Sequence, residues 1–247
     1  DFDHHWGALR GMEQTCLQNG IPFELVFPEE LPERINDFDI LLIPDYPCLE
    51  EENISVIRNW VAEGGGLYAS GRTSLTDEHF QQRLDYALAD LFGTGLEKEG
   101  VSCSPLNIVP YGKGKVAFTS SNPEKGVFLD EEGRPFKNLA DVSFQRKVRV
   151  RLNPEHPRLA RIIGELGSRG LPVEVVAPCS VAADAYYATD KALILHLVNY
   201  EWRVGKRNIP VRVNPQFFRA KSARVYSPDY NSQRLEIARG KHFDEVI

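Results

Sequence analysis

The sequence lacks an excess of positive charge, a long apolar run and a recognisable leader. Its 29 Lys and Arg residues stand against 35 Asp and Glu residues, which gives a net charge of −6. This balance argues against a nucleic-acid partner, because such proteins neutralise phosphates with a basic face. No apolar run approaches the roughly 20 residues of a membrane helix, so we expect no membrane partner. The chain begins without Met or a basic and apolar leader, which indicates a processed or excised piece of a longer polypeptide.

Paired cysteines are absent as well. The 4 cysteines are widely spaced and form no Cys-x-x-Cys pair: Cys16, Cys48, Cys103 and Cys179. This spacing excludes a zinc ribbon and a small disulfide framework, and a chain of this length can fold without cross-links. We therefore interpret the cysteines as buried free thiols.

The glycine-rich and histidine-containing segments do not fit a cofactor site. Gly64 to Gly66 precedes a predicted strand, which places it at a helix C-terminus and away from the N-terminal end where phosphates bind. The run from Tyr111 to Lys115 lacks the first glycine and the Ser/Thr of a phosphate-binding loop. His4 and His5 would point to different sides of a helix, and no other ligand set emerges. We expect no metal and no cofactor.

The sequence does contain the material for a hydrophobic core. Hydrophobic residues make up 42% and charged residues 26% of the chain, which is close to the average of globular proteins and unlike disordered chains. At about 150 residues per domain, 247 residues correspond to one large or two small domains.

The first part of the chain alternates between strand and helix patterns. Apolar residues three or four apart predict helices over residues 5–19, 50–63, 80–92 and 159–166. Short apolar runs predict strands over residues 23–27, 38–43, 67–70 and 115–119. Residues 94–114 are rich in Gly, Pro and Ser, so we expect them to be irregular. The alternation predicts an α/β domain over residues 1–170, with helices flanking a parallel sheet of flavodoxin-like order.

Downstream the pattern becomes strand-like. Short apolar runs predict strands over residues 173–177, 181–187, 192–200, 209–213, 223–226 and 235–238. Pro228–Asp229 is one of the turn signals between them. Strands at this spacing predict a small antiparallel β-sandwich domain over residues 171–247. We expect this domain to be truncated.

The α/β domain is short of one strand. In flavodoxin-like order the first strand lies inside the sheet, between the second and the third, yet this chain starts with the helix that should follow that strand. Its absence would leave the inner ladders with unpaired backbone groups. We therefore expect residues upstream of Asp1 to complete the sheet.

Candidate binding residues come from the ends of the predicted strands, because ligands of open α/β sheets bind beyond the carboxyl ends of the strands. These candidates are Asp45, Tyr46, Ser70, Arg72 and Thr73. None is assigned a catalytic role at this stage.

Nucleophilic catalysis is a weaker interpretation of the same crevice. A nucleophile elbow needs small residues two positions before and after the nucleophile, and Ser70 has Tyr68 and Arg72 there. His79 is the only histidine nearby in sequence, and a surface position explains it more simply than a pair with Ser70. The alternative hypothesis is a hydrolase or amidotransferase-like enzyme that uses a crevice Ser or Cys, with Cys48 as the thiol to test.

Aromatic residues of the second domain offer a further alternative. Tyr200 and Trp202 could form a platform for a sugar ring, which would make the domain a carbohydrate-binding module. His196 lies in an apolar strand, where a sheet-face or core histidine is the simpler interpretation than a catalytic base.

Several runs resemble a known family: Phe38–Asp45, Trp60–Leu75 and Leu88–Gly93, followed by Ala192–Tyr200 and Arg224–Asp229. The first three are similar to the trimerisation domain of family 42 β-galactosidases, a domain like class I glutamine amidotransferases that lacks their cysteine. The last two resemble the small β domain that follows it. One departure is Arg72, where the family usually has an acidic residue.

The resemblance implies a non-catalytic role. In the family the glycosidic bond is cut by two carboxylates on an upstream barrel of about 250 residues, for which this chain has no room. The implied function is an accessory and oligomerisation region of a glycoside hydrolase-like protein. Its implied partners are further copies of itself, as a trimer, with carbohydrate as a possible ligand.

Overall fold

The chain forms two compact units. The computed structural model describes residues 2–96, 106–125, 127–129, 149–151, 154–178, 180–189, 192–201, 204–205, 208–227, 230–240 and 242–246. The first unit comprises Asp1–Thr15 and Leu25–Ser168, and the second comprises Cys16–Glu24 and Arg169–Ile247.

Five α-helices are described in the chain, and they precede, separate or follow the strands of the main sheet. They are α1 (Phe2–Asn19), α2 (Leu31–Arg34), α3 (Glu51–Glu63), α4 (Ala89–Phe92) and α5 (His156–Leu166). Two short 3-10 helices, Pro28–Glu30 and Ile35–Asp37, flank α2. Both α3 and α5 pack against the main sheet.

The main sheet of the first unit is mixed. Its strands are β1 (Ile40–Ile43), β2 (Gly66–Ser70), β3 (Asn107–Tyr111) and β4 (Gly114–Thr119). Their order is β1-β2-β4-β3, with β1 and β4 parallel to β2 and with β3 antiparallel to β4. A separate antiparallel pair joins β5 (Val127–Leu129) to β6 (Arg149–Arg151).

Helix α3 and strand β2 show how the apolar pattern builds the core. The predicted helix is confirmed, and its inward face is buried at Ile54, Ile57, Trp60 and Val61. It ends at Gly64, whose φ of 132° is one that other residues rarely adopt. All residues of β2 are buried, as expected for an apolar strand in the middle of a parallel sheet.

The predicted helix over residues 80–92 is wrong except for α4 at its end. Phe80 and Leu84 are exposed, with relative accessibilities of 80% and 101%. The carboxylate of Asp77 instead accepts the backbone N–H groups of His79 and Gln81, at 3.0 and 2.8 Å. Such side-chain bonds offer the backbone an alternative to helical pairing, so the segment folds as a loop.

The strand predicted over residues 23–27 is also absent. This segment belongs to no helix or strand, and Phe23, Leu25 and Phe27 are exposed. The backbone of Phe27 pairs instead with Glu30, whose N–H donates to the Phe27 carbonyl oxygen at 3.0 Å and whose carboxylate accepts the Phe27 N–H at 3.3 Å. These groups are therefore not available to a strand ladder.

Residues 94–114 are less irregular than predicted, although residues 97–105 lie outside the described part. Strand β3 occupies Asn107–Tyr111 and joins β4 through a tight turn at Gly112, whose φ is 57°. In the sequence, Pro110 and Gly112 argue against a strand and favour an irregular segment. Pro110 is tolerated because β3 is an edge strand among the described residues, where a missing N–H leaves no internal ladder unpaired. This strand makes the sheet mixed instead of wholly parallel.

The second unit is built from antiparallel strands. They are β7 (Val173–Val175), β8 (Val181–Thr189), β9 (Ala192–Asn199), β10 (Val211–Val213), β11 (Ala223–Ser227), β12 (Tyr230–Leu235), β13 (Ile237–Ala238) and β14 (Asp244–Val246). One sheet has the order β13-β14-β10-β7, and β8–β9 and β11–β12 form two further pairs. The strand-like pattern is therefore confirmed. Pro228 and Asp229, predicted as a turn, lie outside the described residues.

The buried side chain of Asn214 holds the segment at residues 169–171, where the main part of the second unit begins. The side-chain amide of Asn214 donates to the carbonyl oxygens of Arg169 and Leu171, at 2.8 and 3.2 Å, and its oxygen accepts the N–H of Gln216 at 3.0 Å. Satisfying these groups inside the protein avoids the free-energy cost of burying them without partners. The guanidinium of Arg169 also lies 4.0 Å from the ring centroid of Phe217.

Candidate functional site

Polar side chains converge at the carboxyl ends of β1, β2 and β4. Asp45 follows β1, Ser70 is the last residue of β2, and Glu124 lies in the loop after β4. All three are fully buried. Parallel strands deliver these groups to one edge of the sheet, where the ligand crevice of an open α/β fold is found.

Asp45 and Arg72 form a buried anchor at this edge. The Oδ1 atom of Asp45 accepts the backbone N–H of Arg72 at 2.8 Å and its Nε at 3.3 Å, and Oδ2 accepts a terminal guanidinium nitrogen at 3.2 Å. The carboxylate is fully buried, whereas 39% of the Arg72 side chain is exposed. Hydrogen bonds of this number compensate the loss of hydration of a buried charge.

Gly71 is required between these residues. Its φ is 60°, and a Cβ atom at this position would collide with the Asp45 carboxylate and with Asn122 Oδ1. Its N–H donates to the carbonyl oxygens of Thr119 and Ser121, at 2.9 and 3.2 Å. The glycine therefore lets the chain after β2 pass close to both neighbouring loops.

Glu124 forms a second buried polar group with two hydroxyls. Tyr68 donates to Glu124 Oε2 at 2.7 Å, and Ser70 donates to Oε1. Burial raises the pKa of Glu124; the hydrogen bonds from Ser70 and Tyr68 oppose this effect, and the charge of Asp45 adds to it. Burial also raises the pKa of Tyr68 well above its ordinary value, and the Glu124 charge raises it further. Burial therefore disfavours the charged form of Glu124, whereas the two hydroxyl donors favour it.

Tyr46 and Thr73 hold the turn after β1. Thr73 Oγ1 accepts the N–H of Tyr46 at 3.1 Å and lies 2.7 Å from the carbonyl oxygen of Ser70. The half-buried phenol of Tyr46 has a raised pKa, caused first by burial and then by the negative charges of nearby groups. These contacts make both residues part of the turn's structure.

His5 joins the site from α1. Its Nδ1 lies 3.2 Å from the carbonyl oxygen of Pro44 and 3.1 Å from that of Asp45. Because both contacts are acceptors, Nδ1 carries the proton in this arrangement. The imidazole also meets the ring of Tyr46 edge to face, with centroids 5.1 Å apart.

The structure brings all the predicted crevice residues together: Asp45, Tyr46, Ser70, Arg72 and Thr73. Sequence reasoning missed Glu124, Tyr68 and His5. Applying the strand-end rule to β4 would have drawn attention to Glu124, five positions after Thr119. No spacing in the sequence points to His5. That these residues bind a ligand stays a prediction.

The nucleophile candidates are engaged in other contacts. Ser70 Oγ accepts the N–H of Asp45 at 3.2 Å and donates to Glu124, while His79 lies exposed in the loop after β2. Cys48 is half-buried, and its Sγ donates to the carbonyl oxygen of Asp77 at 3.0 Å. Cys16 is buried, and Cys103 and Cys179 lie outside the described residues.

The predicted sugar platform is described only in part. Tyr200 is exposed after β9, and its N–H donates to the carbonyl oxygen of Ser180 at 2.8 Å. Trp202 lies outside the described residues. His196 is exposed on β9, with Nε2 3.5 Å from the hydroxyl of Tyr186, in agreement with a sheet-face histidine.

Neither a metal-binding cluster nor a membrane-spanning helix occurs in the described part of the chain. Within the described ranges, no three His, Cys, Asp or Glu side chains lie close enough to hold a metal ion together. Among the same residues, no helix has the length and apolar character that crossing a bilayer requires.

Solved structures resemble this chain along its length. Gan42B, a GH42 beta-galactosidase from G. stearothermophilus, matches with a TM-score of 0.56 and 14% identity over 100% of this chain and 36% of its own. A beta-galactosidase from Bacillus circulans sp. alkalophilus matches with a TM-score of 0.58 and 9% identity over 98% and 37%. A third, from Rahnella sp. R3, has a TM-score of 0.50 and 14% identity over 78% and 31%.

No protein-family model matches the sequence, and no curated protein matches it. The chain spans about a third of the length of the beta-galactosidases that it resembles. At these identities the likeness concerns the fold. The chain therefore has the fold of a region found in beta-galactosidases, a mixed α/β unit together with antiparallel sheets.

Proposed function

We propose that this chain is a non-catalytic accessory region of a beta-galactosidase-like glycoside hydrolase and that it serves subunit association. In this proposal the first unit is a glutamine-amidotransferase-like domain with flavodoxin-like connectivity, and the second is a β-sandwich. The parent's glycosidase chemistry belongs to residues outside this chain. The fold likeness to about a third of the beta-galactosidase chains supports this assignment.

The state of the strand ends is the observation that carries the proposal. An enzyme of this fold would expose its nucleophile to substrate and place a base within hydrogen-bonding distance of it. Here the side chains of Asp45, Ser70 and Glu124 are fully buried, and the Asp45 carboxylate accepts hydrogen bonds from Arg72. Their burial leaves none of these three groups exposed to a substrate, which supports a structural role for them.

The loop between β2 and α4 supports a role in association. Phe80 has a φ of 59°, an unusual conformation for a bulky residue, and its ring is exposed. Leu84 is exposed nearby in the same loop, while Arg83 anchors the loop through the carbonyl oxygen of Leu49 at 3.1 Å. An anchored loop with exposed apolar side chains fits an interface that packs against a second copy.

The proposal is tested by the mass of the protein in solution. Size-exclusion chromatography with light scattering should show a closed oligomer, expected to be a trimer, for the wild-type chain. Leu84→Glu should shift it to monomer, because a charge in an apolar contact is costly to bury. Phe27→Glu is the control, since Phe27 is exposed elsewhere in the first unit. A wild-type monomer at high concentration would refute the association role.

A further inference from the structure

Exposed apolar side chains alternate with polar contacts in the loop between β2 and α4. Phe80 and Leu84 are the exposed apolar residues of the loop itself. A third lies in the segment after α4, because the carboxylate of Asp85 accepts the N–H of Leu96 at 2.6 Å and so holds this exposed leucine against the loop. We call Phe80, Leu84 and Leu96 the loop surface.

Helix α3 holds the loop at two points. Near the start of the helix, Glu51 forms an ion pair with Arg83, which also donates to the carbonyl oxygen of Leu49 at 3.1 Å. Farther along, Arg58 donates to the carbonyl oxygen of Ala87 at 2.9 Å. Glu51 and Arg58 are about two helical turns apart, so they lie on the same face of α3. The loop is therefore fixed along one face of this helix.

The Arg58 contact extends to Asp90 in α4. Two nitrogens of the Arg58 guanidinium donate to the two oxygens of this carboxylate, at 2.9 and 3.1 Å. The hydroxyl of Tyr111 in β3 donates to the same carboxylate at 3.0 Å. A bidentate contact of this kind fixes the direction of the side chains as well as their distance. The end of the loop is thus tied to both α3 and β3.

These contacts bear on association because a flexible loop loses conformational entropy when it binds a partner, and this loss weakens binding. Phe80 has a φ of 59°, which a flexible chain rarely adopts at a bulky residue. A loop that reached this conformation only part of the time would bind with an affinity reduced by that fraction. Contacts that keep the loop ordered therefore raise the affinity of any interface that uses it.

We propose that Arg58 and Arg83 are positioning residues, which hold the loop surface in the shape that a second copy of the chain binds. They act through the carbonyl oxygens of Ala87 and Leu49 and through the acidic partners on α3 and α4, without touching the second copy. This inference rests on the proposed association function. It adds to that function the intramolecular contacts that set the affinity of the interface.

The test measures the order of the loop and the association of the chain separately, in Arg58→Ala and Arg83→Ala. The matched control is Arg161→Ala, which removes an exposed ion pair with Glu165 on α5 of the same unit and should change neither property. Arg58→Lys and Arg83→Lys keep the charge and some of the donors. These two variants should therefore restore part of what the alanine variants lose.

The order of the loop is measured by amide hydrogen exchange at Ala87, with NMR. The N–H of Ala87 donates to the carbonyl oxygen of Ser74 at 3.1 Å, so its exchange reports opening of the loop. All samples carry Leu84→Glu, which the proposed function expects to make them monomeric. We expect exchange to be at least about tenfold faster in each alanine variant. The amide of Tyr68 in β2 is the reference for global unfolding and should change less.

Association is measured by light scattering over a range of concentrations, in chains that keep Leu84. The concentration at which half of the protein is assembled should rise at least about tenfold in Arg58→Ala and Arg83→Ala. It should return part of the way in the lysine variants. The Arg161→Ala control should assemble at the wild-type concentration.

Three outcomes would overturn the inference. Faster exchange at Ala87 with unchanged association would show that the second copy does not need the ordered loop. Weaker association with unchanged exchange would show that the arginines contact the second copy directly. No change in either property would show that these contacts do not hold the loop. A monomeric wild-type chain would instead refute the proposed function, and exchange at Ala87 would still decide whether the two arginines order the loop.

Discussion

Tyr68 donates a hydrogen bond of 2.7 Å to Glu124 at a point where both side chains are fully buried. The two residues are far apart in sequence and belong to β2 and to the loop after β4. Their contact joins β2 to the loop after its neighbour β4 through a buried carboxyl group. It gives the protein a titratable link in its interior.

The first prediction concerns the pH dependence of that link. Because burial raises the pKa of Glu124 above its ordinary value of 4.5, the folded state binds this proton more tightly than the unfolded state does. Its contribution to stability is therefore fully present below the unfolded pKa and is lost as pH rises through the folded pKa. Glu124→Gln removes this dependence.

Urea unfolding of wild type and Glu124→Gln across acidic to neutral pH measures the effect. The free energy of unfolding of the variant relative to wild type should rise with pH, by about 1.4 kcal/mol for each unit of pKa difference between folded and unfolded states. A difference between the two proteins that stays constant with pH would contradict a raised pKa.

The second prediction concerns the anchor between Asp45 and Arg72. Arg72→Ala leaves the fully buried carboxylate with fewer donors, and we expect a loss of about 1–3 kcal/mol in unfolding free energy, lessened by the partial exposure of Arg72. The control is Arg10→Ala, which removes an exposed partner of Glu13 and should cost no more than about 1 kcal/mol. Equal losses in the two variants would show that the Asp45–Arg72 contact stabilises the protein no more than an exposed ion pair does.

The third prediction isolates close packing from backbone strain. Gly71 and Gly93 have φ values of 60° and 66°, but an added Cβ collides with neighbours only at Gly71 and meets nothing within 4 Å at Gly93. Both alanine variants pay about 1–2 kcal/mol for the left-handed conformation. Gly71→Ala should lose at least about 2 kcal/mol more, measured by chemical denaturation. Similar losses of unfolding free energy in Gly71→Ala and Gly93→Ala would mean that the loops around Gly71 can move to accommodate the added methyl group.

The fourth prediction concerns the enzyme alternative. The purified chain should release no ammonia from glutamine and should not hydrolyse ester substrates, and Cys48→Ala should leave this baseline unchanged. The reason is that the Cys48 thiol donates to the backbone carbonyl oxygen of Asp77, which is not a base that could activate it. Turnover that disappears in Cys48→Ala would overturn the non-catalytic proposal.

The elements with strong periodicity were predictable, and the failures have local causes. The apolar stripe of α3 and the apolar run of β2 appear in the structure as the sequence predicts. The apparent stripe over residues 80–92 fails because Asp77 bonds to the backbone that a helix would need. Strand β3 was not predicted because it contains Pro110, and a proline argues against a central strand although it is allowed in an edge strand.

The candidate site was predicted in outline by a rule of topology. Residues that directly follow β1 and β2 were found because strand ends can be located from apolar runs. Glu124 and His5 reach the same place from a loop and from a helix, through tertiary contacts that no local pattern encodes. Partners of buried polar groups depend on distances across the fold, and sequence spacing does not determine these.

Among the described residues, β1 pairs with β2 alone, and its other edge has a consequence for unwanted pairing between molecules. Ile40–Ile43 contains none of the charges, prolines or bulges that natural edge strands use to prevent unwanted pairing. We therefore expect this short run of four aliphatic residues to favour unspecific pairing between molecules through backbone hydrogen bonds, separately from any association through the loop that carries Phe80 and Leu84.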